Sequence, residues 1–114
     1  MNKSIFIAFI LFFVAQTMIW YQTNSQFLSN WAKERPLLIA CMGIPISYIL
    51  IYATKYVVAG FDGLLWPGRL IGFAMGIISF TILTNYYMGE GISTKVIVSL
   101  ILAVALVCIQ VFWK

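Results

Sequence analysis

The chain has 114 residues, of which 63% are apolar and only 9% charged, with a mean hydropathy of +1.01. A soluble domain this small has too little interior for so much apolar surface, so the composition excludes a water-soluble fold and calls for lipid as the solvent. With no histidine and only three acids, Glu34, Asp62 and Glu90, the chain holds neither a Ser-His-Asp triad nor a histidine-rich metal site.

No enzyme, catalytic residue, metal or cofactor is therefore expected. The net charge of +4 is assigned to helix ends beside lipid headgroups, which leaves nucleic acid without a role. Cys41 and Cys108 lie in apolar runs and are expected as small buried side chains. A spanning helix uses about 20 apolar residues, so four of them leave only short loops and a single transmembrane domain over residues 1–114.

The first span is predicted over 4–21, with Gln16 as its strongly polar interior residue. No small-x-small cleavage pattern follows it, so it is read as a retained helix rather than a signal peptide. The polar stretch 22–36 supplies turns, with Trp31 and Lys33-Glu34-Arg35 suited to an interface. Pro36 then starts a second span over 37–59, in which Gly43 and Pro45 predict a bend, because proline removes a backbone hydrogen bond.

Gly60-Phe61-Asp62-Gly63 makes a tight connection to a third span over 65–88, which Gly89-Glu90-Gly91 ends. An alternative stops the second helix near Thr54 and puts Asp62 and Arg69 on one face of the third as a buried ion pair. Ser93 is a candidate cap for the fourth span, over 93–113, which Lys114 follows.

Four spans put Lys3, Lys55, Arg69 and Lys114 on one side of the membrane and Lys33, Arg35 and Lys95 on the other. Lys and Arg bias sets orientation, so this near tie is compatible with insertion both ways and an antiparallel homodimer, or with one orientation, amino terminus inside. Gly68, Gly72 and Gly76 form a small-residue ridge on the third span, and Ser99 with Ala103 a weaker pair on the fourth. Such ridges let helix backbones approach in lipid, either within one subunit or between two.

Length and four spans agree with the small multidrug resistance family of the drug/metabolite transporter superfamily. So does the order of Val14-Ala15-Gln16-Thr17, Trp66-Pro67-Gly68 and Met88-Gly89-Glu90, and the chain resembles that family over nearly its whole length. The resemblance implies an all-α integral membrane four-helix bundle, small multidrug resistance-like, working as a homodimer in a bacterial inner or plasma membrane. Proton-coupled members carry an acid in the first helix, where Gln16 stands here. An amide cannot ionise, so exchange of a cation against a proton at that place is not available.

Gln16, Trp20, Trp66, Arg69 and Asn85 are the candidate substrate-binding residues. An intramembrane glutamine either faces a cavity or bonds a neighbouring helix. Trp20 lies one turn beyond Gln16, and the resemblance brings Trp66 to meet them in an aromatic-lined pocket; otherwise both tryptophans belong to the interfacial belt. Arg69, at a helix start, suits phosphate or carboxylate, or else a lipid headgroup as a snorkelling anchor. Two functions remain open: a small transporter-like protein passing an amphipathic or lipid-linked molecule, and a non-transporting accessory subunit docked on a larger membrane partner. A holin is a third reading, poorly served by a single terminal lysine.

Overall fold

A computed structural model describes the chain from Lys3 to Trp113, so Lys114, counted in the charge tally above, lies outside the described residues. The described chain is helical without a strand: α1 Lys3–Asn24, a 3-10 turn Ser25–Phe27, α2 Asn30–Lys33, α3 Pro36–Ala40, α4 Gly43–Gly60, α5 Trp66–Met88 and α6 Thr94–Phe112. Four stretches are long and apolar enough to cross a membrane: Lys3–Phe27, Pro36–Gly60, Trp66–Met88 and Thr94–Phe112. Their outward faces carry Phe6, Ile10, Ile44, Ile51 and Ile101 exposed, which suits acyl chains and not water.

The first helix outlasts its predicted end at residue 21 because polar side chains bond back onto it. Thr23 Oγ1 donates to the Ile19 carbonyl at 2.9 Å and Asn24 Nδ2 to that of Trp20 at 3.1 Å. The predicted bend of the second span is a break at Cys41-Met42. Pro45 has no N–H for the Cys41 carbonyl, which accepts instead from Ile44 N at 3.2 Å, and α4 restarts with the proline inside its first turn, where no donor is needed. From α1, Gln22 Nε2 reaches the Ile39 and Ala40 carbonyls beside the break, each at 3.4 Å. Replacing Gln22 by methionine is expected to cost about 0.5–1.5 kcal/mol in a steric-trapping measurement of stability in micelles, with Asn24→Ala as the milder control.

The second helix runs on to Gly60, which removes the alternative end near Thr54. Asp62 sits in the turn at φ +57°, and Gly63 N bonds the Val58 carbonyl at 2.9 Å, closing α4 with a Schellman-type motif. Arg69 alone lies within α5, and no ion pair joins the two among the described residues, where Arg35–Glu34 at 4.0 Å is the one such contact. Gly89, at φ +67°, ends α5, and Ser93 caps α6 by accepting from Val96 N at 3.3 Å.

The spans form a row, α4–α1–α5–α6, in which α1 packs on both α4 and α5 while α6 packs on α5. The extents are 48 × 36 × 18 Å and the radius of gyration is 15.4 Å, against about 13 Å for a compact domain of this length. A closed four-helix bundle would be rounder; here α4 and α5 touch near their shared loop and α6 stands at one edge. Ala103 is the single buried position on α6. Cys41 and Cys108 are exposed rather than buried, Cys41 at the break and Cys108 on the outward side of α6.

The core lies along α1. Ile5, Ala8, Phe12, Ala15 and Trp20 recur at helical spacing, and Ala8 and Ala15 let α4 and α5 approach where a longer side chain would hold them apart. Gly60 does the same for α4: a Cβ there would collide with Ile5.

Candidate functional site

Between α4 and α5, with α1 as its floor, lies a cavity of about 770 Å³, within the range that holds small ligands. Phe12, Gln16 and Ile19 come from α1, Leu50 and Thr54 from α4, and Gly68 to Phe80 of α5 form the longest wall. It exists because α4 and α5 converge only near their connection, where a Cβ on Gly68 would stand 2.5 Å from Val57 Cγ1. From that contact they diverge toward the break at Cys41-Met42.

Gln16 lies beside Gly76, the eleventh of the 23 residues of α5 and so close to mid-membrane. Its Nε2 donates to the Gly72 carbonyl at 3.5 Å, a long bond, and a Cβ on Gly76 would be 2.9 Å from its Oε1. The amide is thus half-buried against a bare stretch of helix backbone while still lining the cavity. Arg69 lies seven residues earlier, about 10 Å along the α5 axis toward the membrane surface. It is exposed and contributes the cavity's one formal charge. Between them the walls are apolar: Phe12, Phe73, Ile77 and Leu50.

Gln16 and Arg69 are therefore brought into one space, and the other candidate residues are not. Trp20 is 3% exposed, turned into the α1–α5 contact, where its Nε1 donates to Thr84 Oγ1 at 2.9 Å and its ring stacks on Tyr87 at 5.4 Å. Tyr21 and Tyr87 share a hydroxyl hydrogen bond of 2.8 Å in the same cluster. Trp66, 75% exposed at the first position of α5, does not line this cavity. Asn85 lines a separate hollow of about 330 Å³ with Glu90, Lys95 and Ser99, between the end of α5 and the start of α6.

All three ridge glycines pack within the chain, Gly68 against Val57, Gly72 against Phe12 and Gly76 against Gln16. Their missing side chains also give the cavity its depth. Sequence reasoning overlooked the lining residues Phe12, Thr54, Phe73 and Phe80. The recurrence of Phe12, Gln16 and Ile19 on α1, and of Phe73, Ile77 and Phe80 on α5, at helical spacing was the available signal. No family model, curated protein or solved structure matches this chain, so the chemistry of the site is argued from its geometry.

The cavity lining holds no carboxylate, imidazole or thiol, and the Gln16 amide does not titrate. Binding of a neutral amphiphile to the protein in neutral-lipid nanodiscs should accordingly change less than about twofold over that interval. Gln16→Glu, which introduces a titratable group at mid-membrane, should make it pH-dependent.

Proposed function

We propose that this chain is a small transporter-like membrane protein of the drug/metabolite type, which receives an amphipathic or lipid-linked molecule in the cavity between α1, α4 and α5. The observation that carries this reading is a cavity of about 770 Å³ with an amide at mid-membrane and a cation toward one surface, walled elsewhere by apolar side chains. A molecule with a polar head and a hydrocarbon body meets matching surroundings along that length, whereas a fully polar solute would leave the phenylalanines facing water. Gln16 supplies a hydrogen bond without a proton to exchange, so passage does not use acid-driven exchange at that position.

We further propose that two copies work together in a bacterial plasma membrane. Supporting this are the outward flanks of α6, which carry Ile97, Val98, Ile101 and Leu102 exposed, and the near tie of basic residues in the sequence: Lys3, Lys55, Arg69 and Lys114 assigned to one surface against Lys33, Arg35 and Lys95 to the other. Single cysteines on α6 should cross-link between copies in membranes if this edge is shared. Cross-linking to a different protein instead would favour the accessory-subunit reading, for which the same exposed edge is the supporting feature.

The test of passage is flux of a fluorescent-tailed amphiphile across proteoliposomes. Gln16→Ala is expected to lower the rate by about tenfold while the protein stays folded, on the scale of one lost hydrogen bond in a desolvated site. A wild-type rate no higher than that of protein-free liposomes would reject transport.

A further inference from the structure

We propose that the cavity selects amphiphiles whose head is a phosphate or carboxylate, with Arg69 as the residue that binds the head and the wall from Gly72 to Phe80 as the seat of the tail. This rests on the amphiphile-binding reading above and adds to it a substrate class.

The charge balance of the cavity is one-sided. Arg69 lines it, and Glu34, Asp62 and Glu90 do not: they lie in the loop before α3, in the α4–α5 turn and in the α5–α6 connection. Arg69 has no carboxylate within 4 Å among the described residues, where the one ion pair is Arg35–Glu34. A guanidinium lining an otherwise uncharged cavity, with no carboxylate partner among the described residues, favours an anion there through charge-assisted, bidentate hydrogen bonds. A cationic head would find phenylalanine faces and the neutral oxygens of Gln16 and Thr54 but no carboxylate, with the arginine to repel it.

Position adds to the argument. Arg69 is the fourth residue of α5, near the membrane surface where a charged head resides, and Phe80 lies eleven residues further, about 16 Å deeper along the axis. Gly72, Phe73, Gly76, Ile77 and Phe80 line the cavity in succession along that axis, so a tail would lie along this wall. A lysine or arginine that merely anchored the helix to bulk headgroups would need only to reach the interface. Arg69 instead shares its cavity with Gln16 and Phe73.

The experiment uses the full chain in phosphatidylcholine nanodiscs and three probes with the same pyrene-bearing tail, ending in phosphate, trimethylammonium or alcohol, together with inorganic phosphate as competitor. The phosphate-headed probe is expected to bind at least about tenfold more tightly than the ammonium-headed one. Arg69→Gln should reduce that ratio to near one while the variant unfolds at the wild-type temperature, and Arg69→Lys should keep most of it, which separates loss of charge from loss of fold.

Equal binding of the phosphate and ammonium probes, with the alcohol probe still bound, overturns the anion preference and leaves the amphiphile cavity standing. So does a preference that survives Arg69→Gln, which would assign it to the nanodisc surface. If the alcohol probe fails to bind, or binds unchanged when Gly72→Leu fills the cavity, the underlying reading is what fails. Competition by inorganic phosphate at concentrations comparable to the phosphate-headed probe would identify a soluble anion as the source and overturn the lipid-like tail; absence of such competition supports it.

Discussion

Gly68→Ala should lower the stability of the helix array by about 1–3 kcal/mol, more than the same change at Gly72 or Gly76. A methyl at position 68 would stand 2.5 Å from Val57 Cγ1, and Val57 is β-branched, fully buried and fixed at χ1, so the helices must separate. At position 72 the nearest atom is Phe12 Cε1 at 3.2 Å, a tight contact that a small ring shift relieves. At position 76 it is the carboxamide of Gln16 at 2.9 Å, the free end of a flexible side chain.

Stability should therefore fall in the order 68, 72, 76, whereas ligand binding should suffer most at 76, where Gln16 is pushed from its place. Steric trapping of the three variants in micelles, with Val57→Ala added to Gly68→Ala, checks the account. Recovery of at least about 1 kcal/mol in the double variant is expected, and additive losses would show that the two positions do not meet.

Trp20→Ala is the second large effect, expected at about 2–3 kcal/mol. Lipid solvates an apolar ring as well as a protein interior does, so the loss comes from packing and hydrogen bonding rather than from transfer out of water. Both are present here: the ring stacks on Tyr87 and meets Tyr21 edge-on at 5.5 Å, and its N–H satisfies the buried Thr84 hydroxyl. Trp20→Phe keeps most of the ring and removes the N–H, and should cost about 1 kcal/mol. Equal losses for alanine and phenylalanine would assign the whole effect to the hydrogen bond; a phenylalanine variant as stable as wild type would assign it to packing.

These two sites also mark where sequence reasoning and tertiary structure part. The ridge of Gly68, Gly72 and Gly76 is legible as a helix-packing surface because three small residues at intervals of four leave backbone bare on one face. Which helices that face meets is not a property of spacing, and within the chain the structure packs it against α1 and α4. Trp20 reads equally well as a pocket ring or a belt residue from its distance to a helix end, and only the position of Thr84, 64 residues away, turns it inward.

Hydropathy and breakers by themselves determined the four spans, the all-helical class and the cap at Ser93, because these follow from local chemistry: apolar length for lipid, glycine to end a helix, a hydroxyl for a free amide. The pairing of Gln16 with Arg69 in one cavity, the absence of Trp66 from its lining and the open row with α6 at its edge were decided by tertiary structure alone. They depend on which helix face meets which neighbour, and lipid accepts nearly every face, so composition exerts no pull toward one arrangement.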